Sequence, residues 1–122
     1  MQSSEHTILV VDDDRDILEF LHDLLEMEGY TVTVTAKANY LERLQKREMP
    51  DLILLDVFLS GRDGREIVAS LKNQEDTRRI PVLMFSAHPH AEATARAAGA
   101  DDFLAKPFDL EQLLAKIRLH LS

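Results

Sequence analysis

Four consecutive apolar residues, Leu52-Ile53-Leu54-Leu55, end at Asp56 and form the most informative segment of the chain. A short run that is apolar at every position is typical of a parallel strand with both faces covered. Two similar runs and two weaker, more polar ones predict further strands at 8–11, 30–34, 82–85 and 103–105. The segment 30–34 alternates Thr with Val, which indicates an edge strand with one wetter face.

Between the predicted strands, apolar residues recur at the spacing of amphipathic helices. The clearest stripe lies within 17–25, and Gly29 supplies its stop. Further helices are predicted around 40–44, 67–71, 91–98 and 110–117. Five β-α units in succession predict an α/β fold, a doubly wound parallel sheet with helices on both faces. Three aromatic residues are expected to pack in its core, and they are Phe20, Phe85 and Phe108.

Composition restricts the classes of function. The chain has 122 residues, the length of one domain, and its 14 Lys and Arg against 22 Asp and Glu give a net charge of −8. Such a charge repels nucleic acids and anionic lipids, so neither a direct nucleic-acid partner nor membrane insertion is expected. The absence of cysteine excludes disulfides, thiolate nucleophiles and Cys-ligated metals. With no signal peptide and no long apolar run, a cytoplasmic chain is expected.

Polar side chains follow four of the five predicted strands. The acidic run 12–14 follows the first strand, Asp56 the third, Ser86 the fourth and Lys106 the fifth. Because the carboxyl ends of parallel strands meet at one edge of a sheet, these groups are expected to converge there. Each feature alone has an ordinary explanation, such as helix capping by Asp12 to Asp14, but their joint placement favours a functional site.

The chemistry of this collection points to phosphoryl transfer. Clustered carboxylates repel one another, and a hard cation such as Mg²⁺ relieves that repulsion. A carboxylate can also attack phosphorus, and the phosphoryl oxygens then need a metal, an ammonium group and a hydrogen-bond donor. We therefore expect Asp12 and Asp13 to hold Mg²⁺, Asp56 to act as nucleophile, and Lys106 and Ser86 to bind the phosphoryl oxygens.

The order of these motifs resembles the receiver domain of two-component response regulators, in its single-domain, CheY-like form. The matching segments are ILVVDDD at 8–14, DLILLD at 51–56, Ser86-Ala87 and GADDFLAKPF at 99–108. The resemblance implies a flavodoxin-like sheet of strand order 2-1-3-4-5. It also implies a receiver domain over 7–121, preceded by an N-terminal extension over 1–6.

The resemblance further implies that Asp56 accepts a phosphoryl group from a histidine kinase or a histidine phosphotransfer protein. It implies Mg²⁺ bound by Asp12, Asp13, Asp56 and the backbone carbonyl of Phe58, with Lys106 paired to the phosphoryl group. Such a protein is a phospho-acceptor that takes part in its own phosphotransfer and autodephosphorylation, and it is not an enzyme in the usual sense.

A conformational switch is implied as well. Ser86 would move to bond the phosphoryl group, Phe103 would follow it inward, and the peptide bond between Lys106 and Pro107 would be cis. The surface formed by the fourth predicted helix, the fifth strand and the fifth helix would then dock a downstream protein.

Three departures from the family pattern bear on function. The loop VFLSGRDG has Phe58 and Ser60 where Met and Pro are usual, which is expected to loosen it. His88 follows Ser86 by two residues, and we expect Phe58 and His88 to control access of water to the phosphoryl group. Phe103 stands where many relatives have Tyr.

Two other functions stay open at this level. One is an interaction domain of the same fold that works without phosphorylation. The other is a phosphatase of the haloacid dehalogenase type, because Asp12-Asp13-Asp14 contains its D-x-D spacing. Asp16 stands where that family has Thr or Val, and the chain has no room for a cap domain.

Overall fold

The computed structural model describes residues 6–44, 48–88 and 90–121. In chain order the elements are β1 (Thr7–Val11), α1 (Arg15–Met27), β2 (Thr31–Thr35), a 3₁₀-helix (Ala38–Arg43), β3 (Leu52–Asp56), β4 (Phe58–Leu59), β5 (Arg62–Asp63), α2 (Gly64–Lys72), β6 (Val82–Ser86), α3 (Ala91–Ala98), β7 (Asp102–Ala105) and α4 (Leu110–Leu121). The expected N-terminal extension falls almost entirely on residues 1–5, which lie outside the described residues.

Five of the strands form one parallel sheet in the order β2-β1-β3-β6-β7. With β6 and β7 as the fourth and fifth predicted strands, this is the predicted order 2-1-3-4-5. The register pairs Val11 with Leu55, and Asp56 with Phe85. It therefore brings the ends of the three central strands to one level, which is where the site lies.

Each face of the sheet packs against its own hydrophobic core. On one face, side chains such as Ile53 and Met84 pack with residues of α2 and α3. On the other face, side chains such as Leu54 and Phe85 pack with residues of α1 and α4. Leu52 to Leu55 are all fully buried because alternate residues serve the two cores, which confirms the double covering that their sequence predicts.

The structure differs from the sequence predictions in three places. The helix predicted around 40–44 is a 3₁₀-helix whose single buried side chain is Leu41, so little apolar surface supports a longer amphipathic helix. Residues 45–47 lie outside the described part. The loop after β3 contains the short antiparallel pair β4–β5, which was not predicted. Phe20 is 49% exposed on α1 and does not pack in the core.

None of the helices among the described residues combines the length and the apolar character needed to cross a membrane.

Candidate functional site

Three carboxylates meet at the carboxyl edge of the central strands. Asp12 and Asp13 directly follow β1, and Asp56 is the last residue of β3. One oxygen of each lies within 4.8 Å of the others. Asp12 is fully buried, Asp56 is 8% exposed and Asp13 is exposed, so the cluster opens to solvent on the Asp13 side. The structure thus brings together the carboxylates that the strand-end pattern predicts.

Lys106 supplies the positive charge of the site. Its Nζ lies 3.0 Å from Oδ2 of Asp12 and 3.4 Å from Oδ2 of Asp56. It also lies 4.9 Å from the centre of the Phe85 ring. The backbone N–H of Lys106 donates to the carbonyl of Ser86 at 2.8 Å, and the Lys106–Pro107 peptide bond is cis. These contacts place the ammonium group between the two buried carboxylates.

The carboxylates have unequal proton affinities. Burial, together with the nearby charge of Asp12, raises the pKa of Asp56 to about 6 although Lys106 acts against the shift. Hydrogen bonds from Ser60 lower the pKa of the exposed Asp13, against the smaller effect of its partial burial. Of these two carboxylates, Asp56 therefore gains more from a neighbouring positive charge.

Ser60 anchors the loop that carries Phe58. Its backbone N–H and its hydroxyl both donate to Oδ2 of Asp13, at 2.9 and 2.5 Å. Ser60 and Gly61 form the turn between β4 and β5, and Gly61 takes the positive φ of +75° that this turn needs. The loop expected to be loose is therefore a hydrogen-bonded hairpin tied to the acidic cluster. The Ser-Gly dipeptide was the available signal for this turn.

Gly64 allows α2 to begin directly against Asp56. Its N–H donates to the carbonyl of Val57 at 2.6 Å. A Cβ at this position would lie 2.4 Å from the backbone oxygen of Asp56 and 3.0 Å from that of Val57. Only glycine permits this approach, so its role is steric and its φ is ordinary.

Ser86 and Phe103 lie on β6 and β7, the two strands on one side of β3. Ser86 is the last residue of β6, is 1% exposed, and accepts a hydrogen bond on Oγ from the His88 N–H at 3.0 Å. Phe103 is 6% exposed and belongs to the core under α2 and α3. The aromatic side chain expected to move inward is thus already inside the protein in this structure.

Phe58 and His88 form the outer rim of the site. The Phe58 N–H donates to Oδ1 of Asp56 at 3.4 Å, and its side chain is at the surface, with the residue 41% exposed. The rings of Phe58 and His88 meet edge to face with their centres 4.9 Å apart. The two residues that were expected to control access therefore contact each other, and Phe58 is hydrogen-bonded to Asp56 through its backbone.

The donor set fits a hard divalent cation. Asp12, Asp13 and Asp56 offer three carboxylate oxygens close together, and Mg²⁺ takes such oxygens while keeping several waters. Burial first, and then the nearby charge of Asp12, raise the pKa of Asp56, and a bound cation would favour the ionised carboxylate against both effects. The residues present are therefore suited to Mg²⁺.

Comparison with known proteins agrees with the resemblance to receiver domains. Residues 8–118 match the response regulator receiver domain family. The chain is 39% identical, over 91% of its length, to the DNA-binding dual master transcriptional regulator RpaA of a Synechocystis species, of which the match covers 47%. The chain spans about half the length of the curated relatives it matches. The expectation of no nucleic-acid partner has no support from relatives of this kind.

Solved structures agree with the fold. A crystal structure of a response regulator from Chloroflexus aurantiacus superposes with a TM-score of 0.90, at 32% identity, covering 97% of this chain and 98% of that one. The response regulator TrrA from Thermotoga maritima, in complex with Mg²⁺ and BeF, has a TM-score of 0.84 at 26% identity, covering 95% and 99%. The chain belongs to the response regulator receiver domains of two-component signalling.

Proposed function

We propose that this receiver domain accepts a phosphoryl group on the carboxylate of Asp56, from a histidine kinase or a histidine phosphotransfer protein. The observation that carries the proposal is the position of Asp56, at the end of the central strand β3 between two carboxylates and the Lys106 ammonium group. An Asp56 oxygen attacks phosphorus, the nitrogen–phosphorus bond of the phosphohistidine breaks, and the imidazole leaves with the electron pair.

The surrounding residues stabilise the transferring group. Asp12, Asp13, Asp56 and the backbone carbonyl of Phe58 would hold Mg²⁺, which when bound neutralises charge on the phosphoryl oxygens. Lys106, already 3.4 Å from Asp56, pairs with another phosphoryl oxygen. The raised pKa of Asp56 supports this arrangement, because a carboxylate that is buried and close to Asp12 is stabilised in its ionised form by a metal and an ammonium group.

Ser86 and Phe103 make up the proposed switch. The hydroxyl of Ser86 turns toward the new phosphoryl oxygen and donates to it, and Phe103 keeps the space behind Ser86 filled. Both residues border the surface formed by α3, β7 and α4, which we propose as the docking face for a downstream protein. We place this activity in the cytoplasm, in a domain over 7–121 with 1–6 as an extension.

Phe58 and His88 are proposed to set the lifetime of the phosphorylated state. Autodephosphorylation needs a water molecule in line with the oxygen–phosphorus bond. The backbone N–H of Phe58 bonds to Asp56, and the exposed Phe58 ring packs against that of His88. A bulky aromatic pair there limits the approach of that water.

Intact-protein mass after incubation with Mg²⁺ and acetyl phosphate tests the acceptor. Wild type is expected to gain one phosphoryl group and Asp56→Asn none, whereas Asp76→Asn, a control on an exposed distant loop, behaves as wild type. A folded wild type that binds Mg²⁺, yet gains no phosphoryl group from either acetyl phosphate or a phosphohistidine donor, would instead support an interaction domain. Repeated turnover of an aryl phosphate would indicate a phosphatase.

A further inference from the structure

Arg65, on the first turn of α2, is held in one position by the hairpin. Its Nε donates to both oxygens of Asp63, at 2.9 and 3.1 Å, and its Nη2 donates to Oδ2 at 2.6 Å. The Arg65 side chain is 27% exposed. A planar guanidinium group bound by several hydrogen bonds to one carboxylate has little freedom to turn.

The fixed guanidinium group lies against the Phe58 ring. Its Cζ is 5.0 Å from the centre of that ring, within the range of a cation–π contact. Asp63 pairs with Phe58 across β4–β5, so the backbone of the hairpin sets the same spacing. The His88 ring also contacts the Phe58 ring, edge to face. The Phe58 ring is therefore in contact with both Arg65 and His88.

Arg65 also reaches the next helix. Its Nη1 donates to Oγ1 of Thr94 at 2.8 Å, and Thr94 in turn donates to the carbonyl of Ala91 at 3.1 Å. One side chain thus joins the hairpin, α2 and α3. Through Arg65, the Phe58 ring is connected to α3, the helix that follows Ser86.

We propose that Arg65 is a positioning residue that holds the Phe58 ring over the approach to Asp56 and so slows hydrolysis of the aspartyl phosphate. This inference rests on the proposed function. In the hydrolysis, a water oxygen bonds to phosphorus, the bond from phosphorus to the Asp56 oxygen breaks, and the carboxylate leaves with the electron pair. The water proton passes to solvent as inorganic phosphate is released.

The physical reason is the mobility of an exposed aromatic side chain. Phe58 is 41% exposed, so without Arg65 the ring has open space into which it can rotate. Each rotation away from the site opens a path for water. Arg65 is thereby expected to act on the rate of dephosphorylation through Phe58.

The first test measures the lifetime of the phosphorylated protein by intact mass after acetyl phosphate is removed. Arg65→Gln is expected to shorten the lifetime by about two- to fivefold, the range of an exposed cation–π contact. Arg65→Lys, which keeps a cation, should recover part of it. Arg62→Gln is the matched control, because Arg62 lies on the same hairpin but pairs with Glu42. Its lifetime should equal that of wild type.

A double variant separates positioning from a general structural role. In a Phe58→Ala background, Arg65→Gln should have no further effect on lifetime, because the ring on which it acts is gone. A full additional effect there, or an unchanged lifetime in Arg65→Gln alone, would overturn the inference while leaving Asp56 as acceptor. Failure of wild type to gain a phosphoryl group at Asp56 would overturn the proposed function itself.

A second readout needs neither phosphate nor metal. The ring protons of His88 sense the ring current of Phe58, so NMR of the unmodified protein reports the position of that ring. Arg65→Gln should move the His88 ring signals toward those of Phe58→Ala, and Arg62→Gln should leave them in place. Unmoved signals in Arg65→Gln would show that Arg65 does not position the ring.

Discussion

Nζ of Lys106 lies 3.0 Å from Oδ2 of Asp12, a residue 94 positions away in the chain, and Asp12 is fully buried. Lys106 is thus as much a structural counterion as a candidate ligand of the phosphoryl group. Removing one partner of a buried ion pair leaves an uncompensated charge, which is strongly destabilising.

Lys106→Met is expected to lower stability by about 3 kcal/mol in metal-free buffer, because Asp12 and Asp56 then face each other without a cation. Mg²⁺ should restore much of this loss, so the metal-dependent rise in melting temperature should exceed that of wild type. The control is Lys72→Met, since Lys72 has similar exposure and pairs with Asp101 away from the cluster. Equal Mg²⁺ effects in both variants would contradict a cation site at Asp12 and Asp56.

Asp56→Asn is expected to stabilise the metal-free protein at pH 7 by about 1–2 kcal/mol, allowing for solvent screening at the open side. The pKa of Asp56 is about 6 in the folded state against 3.8 as its ordinary value. Folding stability from this group is therefore fully present below pH 3.8 and is lost as pH rises through about 6. In urea unfolding, the free energy of unfolding of wild type should fall between pH 4 and pH 7. Asp56→Asn should not show this fall.

The contrasting variant is Asp13→Asn. Because the pKa of Asp13 is lowered, chiefly by Ser60, its ionised form is already favoured in the folded state. Asp13→Asn should therefore not raise stability at pH 7 as Asp56→Asn does. An equal rise in stability would mean that a general reduction of negative charge explains the effects of both variants.

Asp102 is expected to govern stability in acid. Burial acts to raise its pKa, but hydrogen bonds from Lys116 and His120 outweigh this and hold the pKa well below its ordinary value of 3.8. The stability it contributes is thus present above that value and is lost as pH falls below it. Asp102→Asn should cost about 3 kcal/mol at pH 7 and progressively less below pH ~4, measured by urea unfolding. If the free energy of unfolding differed between wild type and Asp102→Asn by the same amount at every pH, this prediction would be wrong.

Phe58→Asn is expected to dephosphorylate faster than wild type, because a small polar side chain admits the attacking water that the aromatic ring limits. The rate is followed by intact mass after removal of acetyl phosphate. Phe58→Met keeps the apolar bulk and should stay close to wild type. An unchanged rate in Phe58→Asn would show that the rim does not limit hydrolysis.

Much of the site could be predicted because it depends on strand ends. Apolar runs locate strands, parallel pairing aligns their carboxyl ends, and so Asp12, Asp13, Asp56 and Lys106 were expected together. Asp102 is different, because its partners Lys116 and His120 come from a separate helix and nothing in their spacing indicates a buried carboxylate.

The hairpin was missed because strands of two residues have no periodicity to detect. In the sequence, Ser60 indicates only that the usual proline is absent. In the structure, its hydroxyl and N–H both donate to Asp13. Arg65 was missed for a similar reason, since only the folded hairpin brings its guanidinium group to Phe58. Contacts made by loop side chains depend on tertiary geometry, which local sequence patterns do not contain.

Gly64 sets the limits within which this receiver could be redesigned. A methyl group there would strike the Asp56 backbone, so every side chain at position 64 would push α2 away from the acceptor. Phe58 and His88, by contrast, present their rings at the surface and can be exchanged without repacking the interior. A library that varies the rim and keeps position 64 fixed would therefore tune the duration of a signal separately from the capacity to receive it.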